Sequence, residues 1–182
     1  GPRNIDVRRL CRRAVAEKKA LAVLGNHDAK LLKKLNGARV NPTHGLDSTL
    51  REMEGISAEE TEEIRLFLDS LISHYVLDGG RLVTAHAGIK EQYQGRASGR
   101  VKNFCLYGDV TGEGDGYGMP VRLPWADDYR GRALVVYGHT PSLYAQNHNN
   151  TICIDTGCVF GGKLTAYRYP ESDFAEVPAK KE

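Results

Sequence analysis

The sequence predicts an α/β fold in which mixed β-sheets form a sandwich flanked by helices, and three observations carry that expectation. Strand and helix patterns alternate early in the chain, whereas strands and loops dominate late. Four short apolar runs, ALAVL, LVTA, LVVY and TICI, each stop at a polar cluster. The 182 residues, 41% hydrophobic and 26% charged, are enough for one domain with a core and too apolar for a disordered chain.

The elements follow in order. Val7, Leu10, Cys11, Ala14 and Val15 fall at helical spacing, so an amphipathic helix begins near Arg3, with Pro2 suited to its start. Residues 20–24 read as a short buried strand ending at Gly25-Asn26-His27-Asp28, where a second helix opens through Leu31, Leu32 and Leu35. Residues 41–55 hold a shorter helical excursion. Ser57 and Glu60 form a capping box for a helix whose apolar face is Ile64, Phe67, Leu68, Leu71 and Ile72.

Residues 75–77 and 81–85 flank Asp78-Gly79-Gly80 and predict a hairpin whose second strand runs into His86. Residues 87–130, with Gly112, Gly114, Gly116 and Gly118 spaced two apart, read as a long functional loop containing one short helix over 101–106. Three more strands are expected at 133–137, 151–154 and 164–168, with Gly161-Gly162 turning into the last. The domain is taken as residues 1–170, and 171–182 as a charged tail or linker.

Composition excludes several classes of function. A net charge of +2, from 25 basic and 23 acidic residues, gives no global attraction for a polyanion, so any nucleic-acid contact is local. Cys11, Cys105, Cys153 and Cys158 form neither a CxxC pair nor a disulfide scaffold, which favours a reducing, cytoplasmic setting. No apolar stretch reaches the roughly 20 residues that span a bilayer, and no membrane partner is expected.

The chemistry lies at the strand ends. Carboxyl ends of strands line the ligand crevice of open α/β sheets, so Asn26-His27-Asp28, His86, His139 and Asp155 could converge although distant in sequence. Imidazole and amide oxygen suit a borderline divalent ion, and the lack of cysteine in these loops argues against a structural zinc site. Any one of these histidines alone is more easily read as a hydrogen-bonded structural residue, the reading kept for His44, His74 and His148. For Asp155 the plain alternative is an Asx-type turn. Phosphate binding calls for the planar arginine fork, with Arg122, Arg96 and Arg100 as candidates, each of which singly could equally be a solvated surface residue.

In order and spacing, Gly25-Asn26-His27-Asp28, His86-Ala87-Gly88, Gly138-His139-Thr140 and Asp155-Thr156-Gly157 resemble the calcineurin-like metallophosphoesterases of the phosphoprotein-phosphatase-like branch. The segments 67–75, 93–100 and 149–163 further resemble the phosphatase module of bacterial polynucleotide kinase-phosphatase. That resemblance implies two divalent ions, manganese foremost among manganese, nickel, iron and zinc. It implies Asn26, His86 and His139 as ligands of the second ion and His27 as general acid. Asp155 would orient a histidine from behind, and Arg122 lies in a stretch similar to a substrate-arginine segment.

The same family opens with Gly-Asp-x-His-Gly and Gly-Asp-x-x-Asp-Arg-Gly-Pro, of which only Gly1-Pro2 could remain, unless that pair is a scar of tag removal. The chain is therefore expected to begin after the first metal-binding motifs, to lack an N-terminal strand and to be inactive as it stands. The expected activity of the intact enzyme is a metal-dependent phosphomonoesterase acting on 2′-phosphates or 2′,3′-cyclic phosphates of RNA ends or nucleotides in RNA repair. Kinase and ligase domains would be its partners on the same polypeptide. A serine/threonine protein phosphatase, a dinucleoside-polyphosphate hydrolase and a non-catalytic binding module are the alternatives.

Overall fold

A computed structural model describes residues 3–43, 45–114, 116 and 120–180. Gly1, Pro2, His44, Gly118 and the last two residues of the tail, on which sequence readings fell, lie outside the described residues. The chain groups into two compact units, Gly1–Ile72 and Ser73–Glu182.

The first unit is helical. Its helices are α1 (Asn4–Ala16), α2 (Asn26–Leu35), α3 (Leu46–Met53) and α4 (Ala58–Ser70). Ile5, Leu31, Leu32, Leu46, Met53, Ile64 and Leu68 make its core. Ser57 caps α4 as its sequence predicts, its hydroxyl accepting the Glu60 N–H at 3.1 Å. Two expectations are corrected here. Residues 20–24 form no strand: Val23 makes a single bridge to Ile72, closed by Leu24 N–H to the Ile72 carbonyl at 2.9 Å. The predicted α1 stripe is also rotated, since Val7 and Leu10 are exposed and Ile5 is the residue buried. Polar contacts set that rotation: Glu52 receives the Asn4 amide at 2.6 Å and the Ile5 N–H at 3.0 Å, while Arg8 pairs with Asp28 at 3.0 Å.

The second unit is built on a mixed five-stranded sheet. In chain order its strands are β1 (His74–Leu77), β2 (Leu82–Ala85), β5 (Leu134–Tyr137), β6 (Gln146–His148) and β7 (Thr151–Cys153), and across the sheet the order is β1-β2-β5-β7-β6. β1 and β2 form the predicted hairpin, whereas β2, β5 and β7 run parallel as the three central strands. Helix α5 (Gly99–Tyr107) covers a core of Val83, Ala85, Ile89, Val101, Phe104, Cys105, Trp125, Tyr129, Ala133 and Val135. The α/β class is therefore as predicted, but only this sheet is mixed: the two further sheets are two-stranded antiparallel ribbons rather than a second mixed layer of a sandwich.

Four strands were not legible. The 87–130 stretch, expected to be a loop with one helix, contains a ribbon of β3 (Asp109–Gly114) and β4 (Pro120–Leu123) whose register is irregular between Val110 and Gly114. Gly112, at φ 87°, sits inside that irregularity. β6 is polar and lies at the sheet edge. Residues after Pro170 do not trail off: β9 (Asp173–Pro178) pairs with β8 (Lys163–Arg168) along its length. Among the described residues no helix is long and apolar enough to cross a membrane.

Candidate active site

Three of the four predicted strand-end clusters meet on one edge of the sheet. β2, β5 and β7 are parallel neighbours, so the residues that follow them, His86, His139 and Asp155, leave the same carboxyl edge. The backbone locks two of these ends together, Gly138 N–H donating to the His86 carbonyl at 2.9 Å. His139 then adopts φ 76°, a left-handed conformation that costs a non-glycine residue about 1 kcal/mol or more.

The result is a histidine pair. His86 Nε2 and His139 Nδ1 lie 3.0 Å apart, and the rings meet edge to face with centroids at 4.8 Å. Arg122 Nη2 lies 3.2 Å from the other nitrogen of His139. A guanidinium only donates, so His139 Nε2 accepts, and Nδ1–H then donates to His86 Nε2. Arg122 is carried by β4 and followed by Trp125, whose buried ring lies against Gly88: the Cβ that Gly88 lacks would fall 2.0 Å from the indole, and its φ of 101° also favours glycine. One contact thus holds the His86 loop and the arginine segment in register.

Asp155 takes the turn geometry that its sequence allows. Its Oδ1 accepts the Gly157 N–H at 3.1 Å, an Asx turn, and its carbonyl accepts Ser142 N–H at 3.0 Å. Its Cβ and Oδ2 face Gly138, close enough that a Cβ there would stand 3.4 Å and 3.8 Å from them. The carboxylate therefore braces the turn that delivers His139.

Arg96 and Arg100 are exposed; Arg96 N–H donates to the Tyr93 carbonyl at 3.1 Å, and Arg100 lies over the Tyr93 ring at 5.8 Å. Asn26 and His27 open α2 in the first unit, Asn26 half-buried and His27 exposed, with Gly25 as the N-cap residue. Arg8 holds neighbouring Asp28 and so fixes this first turn.

His74 is structural, as expected, yet it reaches towards the site. Its Nε2 accepts the Gly95 N–H at 3.0 Å and its Nδ1 faces Ser73 Oγ at 3.0 Å. Burial pushes its pKa below the ordinary histidine value. The loop that leads to Arg96 and Arg100 is thereby tied to β1, a role that no local sequence signal announces. His148 instead faces Asp127 on the surface at 3.1 Å.

The pair passes a simple fit test for a metal. Two imidazole nitrogens bound about 2.1 Å from one ion at a near right angle stand about 3 Å apart, and His86 Nε2 and His139 Nδ1 are at 3.0 Å. Among the described residues no three His, Cys, Asp or Glu side chains cluster around one point.

Comparison with known proteins gives the class and then the family. No protein-family model matches the chain. The crystal structure of a candidate diadenosine tetraphosphatase superposes with a TM-score of 0.71 at 26% identity, covering 100% of this chain and 77% of that one. Such a mixed α/β chain accords with a metallophosphoesterase-like fold. Bis(5′-nucleosyl)-tetraphosphatase PrpE (asymmetrical) of Anoxybacillus flavithermus is 46% identical over 183 residues, 98% of this chain and 75% of the relative. Its counterpart in Bacillus subtilis is 43% identical over the same shares of each chain. The chain belongs to the PrpE bis(5′-nucleosyl)-tetraphosphatase family, within the calcineurin-like metallophosphoesterases.

Proposed function

We propose that this chain hydrolyses dinucleoside polyphosphates asymmetrically, splitting the bridge of a bis(5′-nucleosyl) tetraphosphate into a nucleoside triphosphate and a nucleoside monophosphate. What carries the reading is the trio His86, His139 and Arg122, with contacts of 3.0 Å and 3.2 Å, in a chain 46% identical to a protein named for that activity. Those names favour the dinucleoside substrate over the RNA-end phosphates that the sequence first suggested.

His86 Nε2 and His139 Nδ1 would hold one divalent ion, manganese being the first candidate. Such an ion, as one of two, would polarise a phosphoryl oxygen and lower the pKa of a bound water. Were Nδ1 to bind such an ion, the His139 proton would reside on Nε2, and the Arg122 fork would exchange that acceptor for phosphate oxygens. His27 is the proposed general acid, which would protonate the departing oxygen of the nucleotide leaving group. Arg96 and Arg100, on the loop tied down by His74, supply further charge for a polyphosphate.

The test is a substrate comparison on the manganese-loaded protein. Diadenosine tetraphosphate should exceed a ribonucleoside 2′-phosphate, a 2′,3′-cyclic nucleotide and a phosphoserine peptide by about tenfold or more in kcat/KM. Preference for either ribonucleotide would restore the RNA-end reading, with kinase and ligase domains as partners. Preference for the peptide would make the chain a protein phosphatase.

A further inference from the structure

We propose that Tyr144 and Phe160 form the platform on which a nucleobase of the substrate stacks; this rests on the dinucleoside reading above and names the part of that substrate which the histidines and arginines do not handle. Both rings are open to solvent, Tyr144 71% exposed and Phe160 79%, beside the equally open Leu143 at 83% and Val159 at 65%. Large apolar groups gathered on a surface mark a binding site more often than chance exposure.

Their place in the fold ties them to the histidine pair. Tyr144 lies on the loop that leaves His139 at the end of β5, and Phe160 on the turn that follows Asp155 at the end of β7, the adjacent parallel strand. These two loops close on each other. Ser142 N–H donates to the Asp155 carbonyl at 3.0 Å, and a Cβ placed on Gly157 would touch Pro141 at 3.8 Å and Phe160 at 4.0 Å. Lys163, just past the turn, stands 5.8 Å from the centre of the Tyr144 ring and is itself paired with Glu176 at 2.6 Å.

Backbone geometry holds the turn outward. Gly157 and Gly161, at φ 69° and 88°, bracket the single helical turn Cys158–Phe160, and Gly162 packs so tightly that a Cβ would fall 2.1 Å from the Thr156 carbonyl oxygen. Phe160 thus stands at the end of a turn whose base at Gly162 is closely packed. A nucleobase offers a flat π-face whatever its hydrogen-bonding edge, so two exposed aromatic rings recognise it without demanding one base. The occupant chosen is thus a base attached to a phosphate chain, because the two loops that carry these rings leave the same strand ends as His139 and Asp155.

The experiment compares two constants on the manganese-loaded protein, with metal in excess over total phosphate: the KM for diadenosine tetraphosphate and the Ki of inorganic tripolyphosphate, which has phosphates but no base. In Tyr144→Ala and Phe160→Ala the ratio of KM to Ki should rise about tenfold, and Phe160→Trp should restore it. A merely structural role would move KM and Ki together, and a patch reserved for a protein partner or a second copy would move neither; both results overturn the inference alone. A wild-type protein that leaves diadenosine tetraphosphate intact while hydrolysing another phosphoester overturns the functional reading, and this inference with it.

Discussion

His27, His86 and His139 are the same residue type in three different settings, and their predicted failures differ. His86 and His139 face each other at 3.0 Å at the ends of parallel strands, whereas His27 is exposed in the first turn of α2. Alanine at His86 or His139 should remove bound manganese as measured by elemental analysis of the desalted protein. His27→Ala should keep the metal and lower turnover by about a hundredfold or more; loss of metal there would make His27 a ligand instead. His74 gives a separate prediction. Its pKa in the fold lies below the unfolded value of about 6.5 because burial disfavours the charged ring. The unfolded chain then binds more protons, so the contribution is complete above that unfolded value and is lost as pH falls through the folded pKa. Melting curves from pH 8 to pH 5 should show a steeper fall for the wild type than for His74→Gln; parallel curves would contradict it. The strand-end rule made His86, His139 and Asp155 legible in sequence. It could not reveal that Gly88 is shaped by Trp125 or that His74 holds Gly95, since those contacts join segments far apart in the chain with no shared motif.

At the scale of elements, the helices were legible because their apolar spacing and caps are local, as at Ser57 and Glu60. Strands built from glycine, amide or charge were not. β3 hides in glycines, β6 in Gln-Asn-His, and β9 in a segment that carries Asp173 and Glu176. Ribbon strands of that kind are specified by their partner rather than by their own pattern. β9 nevertheless matters to the site. Thr165 of β8 is buried, shares a 2.7 Å hydrogen bond with Thr156 beside Asp155, and its hydroxyl lies within donating distance, 3.3 Å, of the Glu176 carboxylate of β9. Tyr169, between the two strands, donates to Asp78 in the β1–β2 turn. A chain ending at Pro170 should therefore melt at least about 4 °C lower by calorimetry. An unchanged midpoint would return β9 to the status of a dispensable tail.

For the whole molecule, the family assignment reorders what the sequence suggested. The resemblance in motifs found the metallophosphoesterase class, because strand-end histidines and aspartate carry the common chemistry. It placed RNA-end phosphates first and the dinucleoside polyphosphate only among the alternatives, since the chemistry shared at the strand ends carries no signal for one phosphoester over another. The central claim is that this edge cleaves a four-phosphate bridge unevenly, through His86 and His139. The direct measurement is chromatographic product analysis of diadenosine tetraphosphate incubated with the manganese-loaded wild type and with His139→Ala. The account predicts equal amounts of adenosine triphosphate and adenosine monophosphate from the wild type, with the rate in His139→Ala reduced by about a hundredfold or more. Two molecules of adenosine diphosphate, or undiminished hydrolysis by the variant, would contradict it.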